Sequence, residues 1–208
     1  DTSLGVGGAT GDSSSVAVKA QVFDATGGKV GSEILVNTAT TNTQYLPQST
    51  ALPGGGFVVT WMDNSLGVGG ATGDSSSWAV KAQVFDAAGG KVGSEILVNT
   101  ATTGTQDAPQ ITALPDGRFV ITWGDQSQGV GGASGDSSSY AVKAQVFDGS
   151  GGKVGSEILV NTATAGVQYA PQITTLSDGS FVITWQDLSH GVGGATGDSS
   201  GSSVKAQF

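Results

Sequence analysis

The chain has 208 residues, a formal net charge of −9 and no cysteine. This acidic balance, with Arg118 as the single arginine, argues against nucleic-acid phosphates and anionic membrane surfaces as partners. Disulfides and thiolate metal sites are excluded, and no apolar run approaches the ~20 residues needed for membrane insertion.

The tetrapeptide Val-Lys-Ala-Gln recurs with a period of 62 residues. A period of this length predicts one array of repeated structural units rather than several separate domains. Three full units are followed by a truncated fourth, and because the chain opens within a repeat we expect it to be a piece of something longer. The units are residues 1–62, 63–124, 125–186 and 187–208, and their equivalent lysines are Lys19, Lys81, Lys143 and Lys205.

Each unit opens with a long loop rich in glycine, serine and aspartate, residues 63–77 in the second unit. Its glycines permit positive φ and its short polar side chains favour turns, so a helix is excluded there. Residues 79–85 alternate in the manner of a β-strand, and residues 86–90 form a turn. Residues 94–99 are predicted to be a more polar strand at the edge of a sheet.

The second half of the unit predicts a tight antiparallel hairpin. Residues 110–114 form one strand, residues 115–117 read Pro-Asp-Gly and predict the turn, and residues 119–123 form the second strand. Apolar side chains on both sides of that second strand indicate that both of its faces are covered. We therefore predict that the tryptophans that close this strand pack between units, namely Trp61, Trp123 and Trp185.

Four short antiparallel strands per unit predict an all-β fold of tandem four-stranded sheets that resembles a β-propeller, with a linear stack of sheets as the alternative. The chain begins with the last two strands of a sheet and ends with the first three. Three units are too few for a ring, since propellers usually have about four to eight blades. We therefore expect that copies associate into a homo-oligomer or polymer, or that the natural protein carries more units.

The pattern Asp-x-Ser-x-Gly opens every loop, and a second aspartate follows eleven residues after the first. Calcium is bound by about six to eight oxygen ligands, which such loops can supply from carboxylates, hydroxyls and carbonyls. The pattern thus favours a calcium site, and the alternative is an ordinary solvated turn. The candidate ligands are Asp1, Ser3, Asp12, Asp63, Ser65, Asp74, Asp125, Ser127, Asp136, Asp187, Ser189 and Asp198.

Two of the positions at which the copies differ lie at the end of the long loop and in the link before the hairpin. In an antiparallel sheet of four strands these two connections lie on the same side. Exposed aromatic side chains beside hydroxyl-rich loops are typical of surfaces that bind glycans or proteins, and neutral drift is the alternative. The candidate partner-binding residues are Trp78, Tyr140, Tyr45, Asp107 and Tyr169.

Residues 109–123 and 142–162, with their copies, resemble the repeats of giant secreted, hemolysin-type calcium-binding proteins and adhesins of bacteria. This resemblance implies a β-propeller-like fold, secretion and a role at the cell surface or in the extracellular matrix. The loop departs from that family's glycine-rich nonapeptide, since residues 131–136 read Gly-Gly-Ala-Ser-Gly-Asp, so no calcium roll is assigned.

Catalysis finds little support in the sequence. The single histidine, His190, occurs at a loop position where the other copies have leucine or glutamine, and no serine has a base partner in view. We therefore predict that the chain is not an enzyme but an extracellular structural or adhesive repeat protein that presents loops and self-assembles. The alternatives are a carbohydrate-binding module that uses the variable face, and an artificial array of amplified repeats.

Overall fold

The computed structural model describes Gly11 and residues 16–194 and 201–208, which contain strands and no helix. Accordingly, this part of the chain offers no helix that could cross a membrane. The strands are β1 (Lys19–Phe23), β2 (Lys29–Leu35), β3 (Gln44–Ala51), β4 (Phe57–Asp63), β5 (Ala79–Phe85), β6 (Lys91–Leu97), β7 (Gln106–Ala113), β8 (Phe119–Asp125), β9 (Ala141–Phe147), β10 (Lys153–Leu159), β11 (Gln168–Thr175), β12 (Phe181–Asp187) and β13 (Ser203–Gln207).

The strands form a series of antiparallel sheets, which we call blades in chain order. The first blade contains β1 and β2, the second β3 to β6, the third β7 to β10, and the fourth β11 to β13. In the complete blades each strand pairs with its neighbour in sequence. The prediction of an all-β fold of tandem four-stranded sheets, similar to a β-propeller, is confirmed.

The first strands of successive blades face one another, because β3 contacts β7 and β7 contacts β11. These strands are therefore the inner ones, as in a propeller. The fourth strands, β6 and β10, lie at the outer edge and are largely exposed over their first halves. This confirms the prediction that the polar strand forms a sheet edge.

The inner strands begin four residues earlier than the sequence indicates. In the third blade β7 starts at Gln106 rather than at Gln110, because pairing with β8 resumes beyond an irregularity after Asp107. Ala108 has φ of 48° there, and Pro109 follows it. Such a kink hides the strand from an alternation-based prediction. The same irregularity occurs in β3 and β11.

Apolar packing between blades forms the core. One face of each blade presents valine and alanine, and the opposite face presents tryptophan and phenylalanine. Val80, Val84 and Val98 of the second blade thus pack against Phe119 and Trp123 of the third. The packing of Trp61, Trp123 and Trp185 between blades is thereby confirmed.

The boundaries of the blades do not coincide with those of the sequence repeat. A unit such as residues 63–124 holds the last two strands of one blade and the first two strands of the next. A unit therefore links neighbouring sheets covalently, while each complete sheet is shared between two units. The 62-residue period describes the array, and the blade describes the folded element.

Candidate functional site

Every complete blade buries a lysine among acidic side chains. In the third blade Lys143 Nζ lies 3.4 Å from Asp125 Oδ1, 3.2 Å from Glu157 Oε1 and 3.4 Å from Ser127 Oγ. Its side chain is 1% exposed, so all three protons of the ammonium group need partners inside the protein. The second blade repeats the cluster with Lys81, and in the fourth blade Lys205 meets Asp187 and Ser189.

Of the residues that the calcium motif singles out in the third blade, Asp125 and Ser127 lie at this cluster, and all of them form hydrogen bonds within the protein. The Asp125 carboxylate accepts hydrogen bonds from the backbone N–H and the hydroxyl of Ser127. Asp136, eleven residues later, accepts hydrogen bonds from Ser138 and from Asn161 Nδ2. The equivalent residues Asp63, Ser65, Asp74, Asp187 and Ser189 are buried as well, whereas Asp1, Ser3, Asp12 and Asp198 lie outside the described residues.

The geometry of these clusters suits lysine better than a metal ion. A cation at Asp125 would lie beside the ammonium group of Lys143, which already occupies Oδ1. The second oxygen of this aspartate is buried and accepts no hydrogen bond, as in Asp63 and Asp187. Among the described residues no group of three His, Cys, Asp or Glu side chains is arranged to hold a metal. None of these contacts tests calcium binding directly, and calcium binding stays a prediction.

The buried glutamate of each cluster also joins neighbouring blades. In the third blade Glu157 Oε2 accepts a hydrogen bond of 2.9 Å from the backbone N–H of Thr100, which follows the outer strand of the second blade. Lys153 Nζ lies 3.3 Å from the hydroxyl of the same threonine. Lys91 and Glu95 of the second blade hold Thr38 in the same way. We call such a set a lysine–glutamate clamp.

The variable positions lie together at one end of each blade, as the loop connections predict. In the third blade the hydroxyl of Tyr140 donates a hydrogen bond to Asp107 Oδ2. This contact passes over Gly124, where an added Cβ would lie 2.7 Å from Asp107 Oδ1. Burial raises the pKa of Asp107, the hydrogen bond from Tyr140 partly offsets the rise, and the charge of Asp125 adds to it. Burial and Asp107 also raise the pKa of Tyr140.

The structure adds a third variable position, which the sequence argument missed. Asp107 pairs with Gly124 across the sheet, and Tyr45 pairs with Met62 in the second blade. The second, third and fourth blades thus each have three variable positions side by side, and we call these positions the variable rim. The missed residues are the last of each repeat unit, where the copies differ: Met62, Gly124 and Gln186. The repeats already show that this position varies, but only the strand register places it next to the other two variable positions.

The remaining candidate residues are His190 and three aromatic residues of the variable rim. His190 is exposed with φ of 52°, the same left-handed conformation as Leu66 and Gln128 at the equivalent loop positions. Tyr45 is 50% exposed on the variable rim, whereas Trp78 and Tyr169 are half-buried. The rim of each blade therefore differs in both chemistry and exposure.

The two ends of the array expose residues that are buried inside it. Phe23 of the first blade is 56% exposed, whereas its equivalents Phe85 and Phe147 are 1% and 0% exposed. At the other end, Val204 is 78% exposed, and Ile158 borders a groove with Thr162 and Phe181. We call this apolar surface, lined by Val146, Ile158, Thr162 and Phe181, the end groove.

Comparison with known proteins identifies structures but no family. No family model matches the chain, and no curated protein matches it. The chain is similar to an endo-arabinase from Bacteroides thetaiotaomicron, with a TM-score of 0.43 and 13% identity over 78% of this chain. It is also similar to an alpha-L-arabinofuranosidase from Lactobacillus brevis, with a TM-score of 0.47 and 10% identity over 89% of this chain. The chain spans 55% and 65% of the lengths of these two proteins, and the likeness concerns the fold alone.

This finding corrects one prediction made from the sequence. The lone histidine and the lack of a paired base led to the prediction that the chain is not an enzyme, yet both similar structures are of enzymes. The prediction is wrong by this comparison and is withdrawn. Its physical basis was weak, because the sequence alone does not show which acidic side chains the fold brings together.

Proposed function

We propose that the protein is a repeat scaffold that assembles head to tail and displays its variable rim. In this assembly β1 and β2 of one copy complete the fourth blade of another copy. The result is a four-stranded blade made of β11 and β12 from one copy and β1 and β2 from its neighbour. The array of blades then continues from copy to copy with the same packing as within one chain.

A repeated pair of stacked phenylalanines carries this proposal. Phe57 stacks on Phe85 with ring centroids 4.9 Å apart, and Phe119 stacks on Phe147 at 5.1 Å. Phe181 is the next member of the first series, but β13 ends at Gln207, which pairs with Ile183, two residues short of the position that would face Phe181. Phe23 of a second copy is the equivalent ring. It would supply the stacking partner of Phe181 while burying its own exposed face.

The strands that would be exchanged have the same core sequence. Residues 18–21 and 204–207 both read Val-Lys-Ala-Gln, so β1 of a second copy fits β12 in the register that β13 now uses. Val204 is 78% exposed, whereas its counterpart Val18 is only 2% exposed because it packs on the second blade of its own copy. Exchange therefore keeps the strand pairing and adds buried apolar surface and an outer strand.

A pair of cysteine variants tests the exchange directly, since the chain has no cysteine of its own. Thr184 pairs with Ala206 in the fourth blade, and Ala20 is equivalent to Ala206. We expect T184C/A20C to form disulfide-linked dimers and larger species at high concentration. T184C/A206C is the matched control, and it should crosslink within one chain.

Sedimentation equilibrium of the unmodified protein supplies the second measurement. The proposal predicts association that increases with concentration. A single monomeric species at every concentration, together with an absence of crosslinks between copies, would rule out assembly by these ends.

The proposal also includes an extracellular location and stabilisation of the long loops by calcium. An acidic, cysteine-free repeat chain that resembles secreted adhesins is expected outside the bacterial cell, in the matrix or at the surface. Calcium is retained as a candidate stabiliser of the long loops. Localisation by fractionation, and melting temperatures measured in calcium and in EDTA, check these two points; a purely cytoplasmic protein or identical melting temperatures would remove them.

A second candidate function is glycan binding at the variable rim. It is favoured by the exposed ring of Tyr45 and by the hydrogen-bonded pair of Tyr140 and Asp107, because aromatic faces beside polar groups suit sugar rings. A glycan array probed with the protein and with Tyr45→Ala and Trp78→Ala variants tests it. Binding that is absent, or that both variants retain in full, eliminates this function.

A further inference from the structure

We propose that the variable rim is one continuous surface that recognises an extended polypeptide segment with apolar and basic side chains. This inference rests on the proposed display of the rim and names the class of partner that the rim takes. It does not depend on association between copies of the chain.

The rim positions of neighbouring blades are joined through the backbone. The carbonyl oxygen of Trp78, in the second blade, accepts a hydrogen bond of 2.9 Å from the N–H of Gln106, which directly precedes the first rim residue of the third blade. In the same way the carbonyl oxygen of Tyr140 accepts a hydrogen bond of 3.2 Å from the N–H of Gln168, just before the first rim residue of the fourth blade. The rim therefore runs as a single row over three blades, and a row suits an extended ligand.

Exposure to solvent does not explain the variation along this row. The outer strands β2, β6 and β10 have the same seven residues in all three copies, although the first four of each are exposed. Met62 and Gly124 are buried, yet the copies have methionine, glycine or glutamine at this position. Because substitutions at exposed sites usually cost little stability, neutral drift would change the outer strands first. The differences along the rim therefore point to recognition.

The chemistry of the row changes from blade to blade. Tyr45 and Trp78 offer aromatic surface in the second blade. The third blade carries the hydrogen-bonded pair of Asp107 and Tyr140, and the fourth has Gln186. A polysaccharide of repeating sugars would present the same groups to successive blades and would favour equal rims. A polypeptide presents a different side chain at each position, so the differences between blades favour a polypeptide over a glycan.

The residues of the rim also indicate which side chains the segment carries. Tyrosine, tryptophan and methionine are enriched where proteins contact one another, and the ring of Tyr45 is 50% exposed. An apolar side chain of the segment can pack there. Asp107 is the single charged residue of the rim, and the whole chain has a net charge of −9. A lysine or arginine of the segment is therefore attracted to the third blade.

Exchanges between equivalent positions of two blades provide the variants. The three residues of a blade are exchanged as a set, because an added Cβ at Gly124 would lie 2.7 Å from Asp107 Oδ1 and 3.1 Å from the Tyr140 ring. Each set already occurs in this scaffold, and circular dichroism verifies that the variants fold. The two exchanges are Tyr45→Asp/Met62→Gly/Trp78→Tyr and the reciprocal Asp107→Tyr/Gly124→Met/Tyr140→Trp.

A phage library of random linear peptides, selected on the dilute unmodified protein, is the probe. We expect the enriched peptides to carry an apolar and a basic residue, and each exchange to weaken their binding about 10-fold or more. Arg118→Ser is the matched control, since it gives an exposed turn of the third blade the residue found at Ser180 in the fourth. This control should bind the peptides as the unmodified protein does.

The outcomes separate the parts of the proposal. An absence of enriched peptides, or equal binding by both exchange variants, overturns it. Peptides that lose binding in only one of the two exchanges refute a continuous surface. Glycan-array binding that the exchanges abolish, without peptide binding, identifies the partner as a glycan instead. Sedimentation equilibrium of the same variants measures assembly separately, so a failure of recognition at the rim is distinguished from a failure of head-to-tail association.

Discussion

At the residue scale, the most informative feature is a lysine buried between two carboxylates in each complete blade. Lys143 forms ion pairs with both Asp125 and Glu157. Glu157 also accepts a hydrogen bond from the backbone N–H of Thr100 in the neighbouring blade. Charges removed from water in this way are stable only when each has a partner. The lysine thus couples the folding of a single sheet to the packing of the array.

The first prediction concerns the loss of this lysine. Lys143→Met leaves two buried carboxylates without their cation, and we expect it to reduce the free energy of unfolding by about 3–5 kcal/mol. Urea unfolding followed by tryptophan fluorescence measures this. Lys205→Met is the matched variant, with only Asp187 to leave unpaired at an end of the array, and its effect should be smaller. Equal effects would contradict the coupling role of the glutamate.

The second prediction concerns the pKa of Asp107. Burial already raises it, and the hydrogen bond from Tyr140 lowers it, so Tyr140→Phe should raise it further. Because the folded-state pKa is raised, the contribution of Asp107 to stability is complete below its unfolded pKa of about 3.9 and is lost as the pH rises through the folded value. Tyr140→Phe should extend this loss to higher pH.

Carboxyl ¹³C NMR titration of Asp107 checks the change in pKa, with Tyr45→Phe in another blade as the control. A pKa that stays the same or falls in Tyr140→Phe would show that the hydrogen bond does not stabilise the charged form.

At the element scale, the long loops are ordered by backbone geometry as much as by side chains. Gly129 has φ of 74°, and an added Cβ there would lie 2.8 Å from the carbonyl oxygen of Asp136. The loop therefore doubles back closely between the Asp125 end and the Asp136 end. This loop conformation places Asp136 where it accepts a hydrogen bond from Asn161 Nδ2, which ties the loop to the residues that follow β10.

The third prediction uses two glycines with similar backbone conformations. Gly129→Ala adds both an unfavourable positive φ and a steric clash, so it should cost clearly more than the about 1 kcal/mol of φ alone. Gly117→Ala, in the turn between β7 and β8, adds only the φ term, since φ is 91° and nothing lies within 4 Å of its Cβ. Urea unfolding of both variants gives the comparison; equal losses would mean that the loop relaxes freely.

At the scale of the whole molecule, we propose that one set of packing contacts has two roles, one inside the chain and one between copies. Inside the array, the aromatic and valine faces of adjacent blades bury most of each other's side chains. At the ends, equivalent side chains remain exposed, and the two ends are complementary because they belong to the same repeat. In the proposed assembly this interface is heterologous, so it would continue from copy to copy or close into a ring.

The fourth prediction separates these two roles by truncating equivalent residues. Phe85→Ala removes a buried ring and should destabilise the monomer by about 3–5 kcal/mol. Phe23→Ala, at 56% exposure, should change monomer stability little but should weaken association. Thermal unfolding of dilute protein and sedimentation equilibrium measure the two effects. Association that is unaffected by Phe23→Ala would exclude Phe23 from the junction between copies.

The sequence alone determined the period, the all-β class, the propeller-like array and the packing role of the tryptophans. Alternation along β8 and the glycine-containing turn before it are local signals, and the 62-residue repeat shows an equivalent strand and turn three times, although only one turn reads Pro-Asp-Gly. Side-chain period and turn chemistry depend on neighbours in sequence, so they can be interpreted without coordinates.

Only the tertiary structure decided which charged groups meet and which variable residues share a surface. Asp125 and Ser127 look like metal ligands in the sequence, but Lys143, from the next strand, reaches them across the sheet. Gly124 is recognised as part of the variable rim only because the strand register places it between Asp107 and Tyr140. Contacts between strands and between blades are distant in sequence, and pairing register and desolvation, which are properties of the folded array, determine them.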